Sequence, residues 1–445
     1  MWDLLFRGGE LILPAGKIQA DLAVSGGQIA EIAPEIASRG VKEIDARGKW
    51  IFPAGFDPHV HFNDPGRSHW EGFSTGSRAL AAGGYTAYAD MPLNSQPPTT
   101  TPEAFRAKLE LASQSSLVDF ALWGGIVPGN LELLPDLAEL GAIGFKAFMV
   151  DSGSPDFPAS DDLTLYRAMQ VAGALGLPVA VHAESSAIVA SLTAEIRSKG
   201  GKTARDYLES RPVLAELEAV SRALLLAREA GCSLHLVHVT TARALALIME
   251  ARSRGQPVSA ETCPHYLVFD QEDLERMGPV LKCAPPLRSR NEVEDLRDAL
   301  LAGQVDFVAS DHSPCSPELK NSPDFFQVWG GISGAQTTLS VLLSLGLASE
   351  VPLEQVAAWT ATMPARRFNI AKGELALGRD ADLVIIDPAR AYQLEPEQLC
   401  YRYPISPYLG FRFRGKVGSV YLRGEPVFPF GKEIRGKFLR PGGQA

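Results

Sequence analysis

Six residues able to bind a metal ion or to transfer a proton follow or close short apolar runs in this chain. They are His59, His61, Lys146, His182, His238 and Asp311. Polar groups at the ends of buried strands are hard to explain as packing, because burying an unpaired polar group costs free energy. Imidazoles and a carboxylate that converge at one rim are suited to a divalent metal ion. The pattern therefore predicts a metal site, provided that the fold brings these strand ends together.

The histidines of the motif His59-Val60-His61 are spaced for a shared role. Alternate residues of a strand point the same way, so both imidazoles can face one metal ion. The alternative is a pair of hydrogen-bonded histidines at the rim. His182 and His238 lie on consecutive predicted strands and form a candidate pair for a second metal ion. His235 lies three residues before His238, would face the other way, and is interpreted as structural.

Lys146 is flanked by apolar residues in the segment Gly-Phe-Lys-Ala-Phe-Met at 144–149. A charged lysine inside a buried strand costs free energy, and a snorkelling or ion-paired lysine is the ordinary explanation. A lysine that has reacted with carbon dioxide becomes an N6-carboxylysine, with an anionic end on a long arm that can bridge two cations. We interpret Lys146 in this way because of the other candidate ligands.

Asp311 follows an apolar run and begins the segment Asp-His-Ser-Pro-Cys at 311–315. An aspartate at this position could simply cap a helix. We interpret it instead as a metal ligand that also carries a proton to the leaving group, and thus as the catalytic residue.

The middle of the chain has the pattern expected of a barrel that would position these residues. Helical patterns with apolar residues three to four apart separate the β-rich apolar runs. The runs cover 51–62, 84–91, 118–127, 143–150, 177–183, 232–239, 257–262 and 305–311. Strands that alternate with helices over this length predict a (β/α)₈ TIM barrel at residues 53–371, whose chemistry lies at the carboxyl ends of the strands.

Both ends of the chain differ from this middle part, because they consist of short strand patterns between glycine-rich turns. The sequence therefore predicts one small β-sandwich domain, formed jointly by residues 1–52 and 372–445.

Composition excludes some classes of partner. A net charge of −10 and a pI near 5.4 argue against nucleic acid and anionic membranes as partners. The sequence lacks a signal-peptide pattern and a membrane-spanning apolar stretch. The five cysteines are scattered and odd in number, which favours free thiols and a cytoplasmic location. They are Cys232, Cys263, Cys283, Cys315 and Cys400.

With these residues placed, the chain resembles the cyclic amidohydrolases of the amidohydrolase superfamily over essentially its whole length. The resemblance implies two divalent metal ions, zinc before cobalt, manganese or iron, and carbon dioxide for carboxylation of Lys146. His59, His61, Lys146 and Asp311 would hold one metal ion, and Lys146, His182 and His238 the other. The family also implies a homotetramer.

Loops distinguish the subfamilies. Dihydroorotases carry an arginine two residues after the His-x-His motif, where this chain has Asn63, although Arg67 is near. Hydantoinases carry a tyrosine five residues after the bridging lysine, where this chain has Asp151. The loops resemble those of allantoinases. The matching segments are Pro-Gly-Arg-Ser-His-Trp-Glu-Gly at 65–72, Met-Pro-Leu-Asn at 91–94, Ser-Asp-His-Ser-Pro-Cys at 310–315 and Trp-Gly-Gly-Ile at 329–332.

This second resemblance implies opening of the hydantoin ring of allantoin to give allantoate, a step of purine catabolism. The implied substrate-binding residues are Asn94, Cys283, Ala284, Ser313 and Gly330. Ala284 stands where the family commonly has serine. The alternatives are a hydantoinase or dihydropyrimidinase, a dihydroorotase, or a non-catalytic scaffold on the same barrel. Such scaffolds usually lose metal ligands, whereas all six candidates are present here.

Overall fold

The computed structural model describes residues 1–431 and 435–443. Within them, strands from both ends of the chain form one sheet, and the middle of the chain alternates parallel strands with helices. The predicted range 372–445 also includes residues 432–434 and 444–445, which lie outside the described residues. No helix in the described ranges has both the length and the apolar character needed to cross a bilayer.

The strands follow one another along the chain. They are β1 (Trp2–Leu13), β2 (Gly16–Ser25), β3 (Gln28–Ala33), β4 (Gly40–Asp45), β5 (Trp50–Pro53), β6 (Gly55–Val60), β7 (Tyr85–Asp90), β8 (Asp119–Leu122), β9 (Gly124–Gly125), β10 (Phe145–Phe148), β11 (Val179–His182), β12 (Leu234–Leu236), β13 (Val258–Thr262), β14 (Phe307–Val308), β15 (Leu383–Gln393), β16 (Arg412–Leu422) and β17 (Glu425–Phe428).

The helices lie mostly between the barrel strands. They are α1 (Phe73–Ala82), α2 (Pro102–Ser115), α3 (Leu134–Leu140), α4 (Asp162–Ala174), α5 (Ser186–Ser198), α6 (Ala204–Ser210), α7 (Val213–Ala230), α8 (Ala242–Ser253), α9 (Pro264–Val268), α10 (Gln271–Met277), α11 (Arg290–Leu301), α12 (Thr338–Ala348), α13 (Leu353–Ala357) and α14 (Met363–Arg367).

The terminal sheet has the order β17-β16-β15-β5-β1-β2-β3, with β4 also paired to β1. The first half of β1 pairs with β4 and its second half with β5, and an irregularity between Phe6 and Gly9 separates the halves. Phe6 on β1 packs edge-on against Tyr421 on β16, with ring centroids 5.0 Å apart, although β5 and β15 lie between those strands in the sheet. The sheet therefore coils over its own apolar core, which gives the two-layered packing of a sandwich.

The barrel strands are parallel and run from β6 to β14. Trp123 interrupts the third strand, so β8 and β9 are its two parts, and the Trp123 indole donates a hydrogen bond to the carbonyl oxygen of Pro58 at 2.9 Å. A parallel bridge between Val60 and His312 joins the last strand to the first. The eight apolar runs of the sequence thus correspond to eight barrel strands, and each strand is shorter than the run that predicted it.

Helix α7 shows how the sequence attaches a helix to this barrel. Alanines recur every fourth residue on its buried face, so the helix can approach the strands closely. They are Ala215, Ala219, Ala223 and Ala227. The helix ends at Gly231, whose φ of 66° is a left-handed conformation that glycine adopts without steric cost.

A buried ion cluster ties the barrel to the terminal sheet. The ammonium of Lys372 lies 2.8 Å from Asp119 on β8, 2.6 Å from Asp380 and 2.8 Å from Asp382. Arg423, just after β16, pairs with the same Asp119 at 2.5 Å. Because the lysine ammonium already lies among the three carboxylates, the cluster is an internal salt bridge.

Candidate metal centre

One cavity of about 720 Å³ contains every residue that the sequence marked for the site. It is lined by His59, His61, Asn94, Lys146, His182, His238, Cys283, Ala284, Asp311, Ser313 and Gly330. The candidate ligands come from β6, β10 and β11 or from the turns that follow β6, β12 and β14. The cavity therefore lies at the carboxyl ends of the barrel strands, where this fold places its chemistry.

Asp311 and the two histidines of the first strand form the tightest group. One carboxylate oxygen of Asp311, Oδ1, lies 3.2 Å from Nε2 of His59 and 3.4 Å from Nε2 of His61. The backbone of Asp311 is left-handed, with a φ of 44°, and it follows the two-residue strand β14. A non-glycine residue held in this conformation is uncommon and is often found at functional sites. These three side chains can supply three ligands to one metal ion.

His182 and His238 lie on the other side of this group. Their ring centroids are 4.6 Å apart, and that of His238 is 5.6 Å from that of His59. His238 also has a left-handed backbone, with a φ of 40°. The predicted pair for a second metal ion is thus brought next to the first group.

Two buried nitrogen atoms of the six candidate ligands have no hydrogen-bond partner among the described residues. They are Nζ of Lys146 and Nδ1 of His238. The side chain of Lys146 is fully enclosed, and its Nζ lies 5.0 Å from the ring centroid of Phe148. Buried polar atoms without partners are rare and costly in native proteins. A carboxylated lysine between two metal ions would remove the uncompensated ammonium, so these residues fit that group.

Burial also prepares the protonation states that metal binding needs. It is the main cause that lowers the pKa of His59, His182 and His238, so the neutral imidazoles that bind metal ions are favoured. Burial lowers the pKa of Lys146 to about 8. Since only the neutral amine can react with carbon dioxide, this shift favours carboxylation near neutral pH.

Glu261 is a functional residue that the sequence reasoning missed. Its Oε1 lies 2.5 Å from Nδ1 of His59, and its Oε2 lies 3.0 Å from Nε2 of His235. A carboxylate at Nδ1 fixes the ring of His59 with Nε2 directed at Asp311, as metal-binding histidines require. His235 does not line the cavity, but it contacts the carboxylate of Glu261, which in turn contacts His59.

Glu184 orients the ring of His182 in the same way as Glu261 orients that of His59. Its Oε2 accepts a hydrogen bond from Nε2 of His182 at 2.7 Å and one from Arg211 at 2.5 Å. The contact occupies Nε2 and leaves Nδ1 of His182 for a ligand. The spacing His-x-Glu at 182–184 was the signal for this contact, because alternate residues near a strand end share one side.

Apart from Asp151, Arg211 and Lys282, the residues of the remaining cavity wall are neutral. Asn63 donates from its amide to the carbonyl oxygen of Pro314 at 3.2 Å. Arg67 donates to the backbone oxygen of Asn94 at 3.2 Å and stacks on Trp70, and neither Asn63 nor Arg67 lines the cavity. Arg67, the arginine near the His-x-His motif, therefore stabilises the surrounding loops and does not face the substrate cavity.

The barrel with four histidines, a lysine and an aspartate in one cavity has the architecture of an amidohydrolase. The chain belongs to the amidohydrolase family, which it matches over residues 50–427. It is 52% identical to an allantoinase of Solibacter usitatus, with 99% of this chain and 97% of that protein covered. It is also 52% identical to an allantoinase of Deinococcus radiodurans, with 99% of each covered.

Solved structures of hydantoinases share the fold. The L-hydantoinase (dihydropyrimidinase) from Arthrobacter aurescens superimposes with a TM-score of 0.95 at 35% identity, over 99% of this chain and all of that one. A dihydropyrimidinase from Brevibacillus agri gives 0.89 at 30% identity, over 98% and 96% of the two chains. These comparisons confirm the predicted barrel with its terminal β domain and the resemblance to allantoinases.

Proposed function

We propose that this protein hydrolyses the ring amide of allantoin and releases allantoate. The observation that carries the proposal is the convergence of six ligand-type residues on one cavity, in a chain 52% identical to allantoinases over nearly its full length. The loop segments at 65–72, 91–94, 310–315 and 329–332 support the choice among cyclic amides.

Two divalent metal ions, zinc being the expected one, would be held by the residues of this cluster. His59, His61 and Asp311 would hold the first, His182 and His238 the second, and carboxylated Lys146 would lie between them. When bound, such ions polarise a carbonyl group and lower the pKa of water.

Asp311 is the proposed proton carrier. Its Oδ1 lies within 3.4 Å of the Nε2 atoms of His59 and His61, and its side chain is partly open to the cavity. It would take a proton from the attacking water and deliver it to the leaving ring nitrogen. A positioned acid–base group of this kind commonly contributes about 10²–10⁴ to the rate.

The substrate would be held by neutral groups. Asn94 and Ser313 face each other, with Nδ2 of Asn94 3.5 Å from Oγ of Ser313, and Cys283, Ala284 and Gly330 complete the proposed contacts. Allantoin carries no charge, so hydrogen-bonding partners suffice. The amide of Asn63 stands where a dihydroorotase would place a guanidinium. The cationic side chains that line the cavity are already engaged, Arg211 by Glu184 and Lys282 by backbone carbonyl oxygens, and a carboxylate without a free cation binds poorly in a buried site.

Hydantoinase activity is the second candidate, because the superimposed structures are hydantoinases. Asp151 lines the cavity where those enzymes carry a tyrosine, which argues against hydantoin as the better substrate. A panel of allantoin, hydantoin and dihydroorotate tests both candidates on metal-loaded protein. We expect allantoin to have the highest kcat/KM and dihydroorotate no measurable turnover. Faster turnover of either competitor would overturn the proposal, and metal-free protein is the control.

Two further features belong to the proposal. Five free cysteines support a reducing, cytoplasmic location. A homotetramer is expected from the family resemblance, and light scattering on the purified protein checks it.

A further inference from the structure

A short irregular segment, residues 325–331, builds one wall of the substrate cavity. Six of its residues, Phe326 to Gly331, line the cavity. Apart from a single helical turn at Phe325–Gln327, the segment has no regular secondary structure. Backbone carbonyl groups in such a segment need donors from elsewhere, because a buried carbonyl without a partner costs free energy.

Lys282 supplies donors to the first half of this segment. Its Nζ donates hydrogen bonds to the carbonyl oxygens of Phe325 at 2.6 Å, Phe326 at 3.2 Å and Val328 at 2.6 Å. An ammonium group has three donors, so all three are used. The backbone of Lys282 adds a fourth contact, since its carbonyl oxygen accepts from the amide of Gly331 at 2.8 Å.

Lys320 supplies donors to the second half. Its Nζ donates to the carbonyl oxygens of Trp329 at 2.9 Å and Gly331 at 2.7 Å, and also to that of Pro279 at 3.1 Å. The two ammonium groups therefore hold the carbonyls of five residues in a seven-residue segment. Those residues are Phe325, Phe326 and Val328 for Lys282, and Trp329 and Gly331 for Lys320.

Neither lysine forms an ion pair with a carboxylate among the described residues, although Lys282 is only 4% exposed. The ammonium groups of buried Lys282 and half-buried Lys320 are thus paired with backbone carbonyls, and that of Lys282 also lies 4.6 Å from the ring centroid of Tyr207. Burial lowers the pKa of Lys282 to about 7 and that of Lys320 to about 8. Burying these ammonium groups costs free energy. Their hydrogen bonds to the carbonyl groups of residues 325–331 stabilise the fold of that segment.

Residues 325–331 pack closely against the residues proposed to bind the substrate. A Cβ atom added at Gly331 would lie 2.2 Å from the carbonyl oxygen of Ser313, so the two backbones are in close contact. The amide of Ser313 also donates to the carbonyl oxygen of Ile332 at 3.0 Å. Lys282 itself directly precedes Cys283 and Ala284 in the cavity wall. A shift of the segment would therefore displace several substrate-facing groups together.

We propose that Lys282 and Lys320 are positioning residues that fold residues 325–331 into the substrate-binding wall and so determine substrate affinity without taking part in the chemistry. The proposal rests on the proposed function only for the choice of substrate. Their ammonium groups contact the wall and not the candidate metal ligands, so KM and kcat should respond differently.

The test uses Lys282→Met and Lys320→Met, which keep an unbranched apolar side chain and remove all three donors. Each variant should raise KM for allantoin about tenfold or more, since three buried acceptors lose their partners. The value of kcat should stay within about threefold, and metal content should not change. Lys199→Met is the matched control, because Lys199 is 69% exposed and, among the described residues, forms an ion pair only with Glu195 on the preceding helix.

A second readout needs no substrate. Phe325, Phe326 and Trp329 are chymotrypsin sites inside the segment, and cleavage there can be followed by mass spectrometry. Both variants should be cut faster than the wild type at these sites, with other sites unchanged. If Lys282→Met fails to fold, Lys320→Met alone decides the outcome.

Wild-type KM together with wild-type protection from chymotrypsin would overturn the proposal. A parallel fall in kcat and metal content would also overturn it, because the lysines would then support the metal cluster. The two proposals can fail separately: a wild-type protein inactive on allantoin refutes the proposed function, while the chymotrypsin result still decides the role of the lysines.

Discussion

The carboxylate of Glu261 lies 2.5 Å from Nδ1 of His59. Both side chains are almost fully buried, so the contact is shielded from water. Since it leaves Nε2 of His59 directed at Asp311, Glu261 determines which ring nitrogen can bind a metal ion.

We therefore expect Glu261→Gln to weaken metal binding by roughly 10–100-fold, the usual effect of losing such a partner. The amide keeps the size of the side chain but loses the negative charge that orients the ring. Metal content after dialysis against a weak chelator measures the effect, with the exposed Glu195→Gln as the control. Wild-type metal retention in Glu261→Gln would show that the contact is dispensable.

Lys146→Ala should lose both metal ions and activity, because the bridging arm disappears. Small carboxylic acids added to this variant should restore part of both, since they can occupy the vacated position. Elemental analysis and a ¹³C signal from labelled carbon dioxide on the wild-type lysine check the prediction. A metal-loaded, active wild type without a carbamate signal would contradict it.

Asp311→Asn should lower kcat by at least about 10²-fold, the lower range for the loss of a positioned proton carrier. The asparagine keeps one oxygen toward His59 and His61 but cannot accept the proton. Metal binding should weaken as well, so kcat must be compared at equal metal content. Near-normal turnover under that condition would remove Asp311 from the mechanism.

The residues that follow strand ends could be predicted because polar groups after apolar runs are conspicuous in a barrel pattern. His59, His182 and Asp311 are examples, and all three line the predicted cavity. Lys146 was conspicuous for the related reason that its neighbours are apolar. Glycine-rich turns likewise indicated most of the terminal strands. Strand β4 could not be predicted, because its exposed Lys42 and Glu43 interrupt the apolar pattern of a strand.

Glu261 and Lys282 could not be predicted as supporting residues, because their partners are distant in sequence, whereas Glu184 lies only two residues from His182. Glu261 and His59 are 202 residues apart, and the carbonyl groups held by Lys282 belong to residues 43 to 46 positions later. Such contacts depend on how strands and loops meet in three dimensions. Glu261 lies inside an apolar strand and Lys282 lies just before a proline-rich turn. Neither local sequence indicates which residue the side chain contacts.

The last prediction concerns stability at the joint between the barrel and the terminal sheet. Lys372→Met would leave Asp119, Asp380 and Asp382 without their shared ammonium, although Arg423 still pairs with Asp119. Breaking a buried ion pair by removing one partner commonly costs about 3–5 kcal/mol. The thermal midpoint should fall by several degrees, whereas Lys42→Met, at an exposed position of β4, should leave it unchanged.

The pH dependence of this loss follows from the sign of the pKa shift. Burial alone would lower the pKa of Lys372, but the carboxylates of Asp382, Asp119 and Asp380 raise it above its ordinary value of 10.5. The ion cluster therefore contributes its full stabilisation below pH 10.5, and the contribution disappears as the pH rises through the higher folded-state pKa. The difference in midpoint between wild type and variant should stay constant from about pH 7 to 9 and shrink at strongly alkaline pH. Differential scanning calorimetry at matched metal content measures it, and a difference that vanishes between about pH 7 and 9 would show that Lys372 is not the charge that holds the joint.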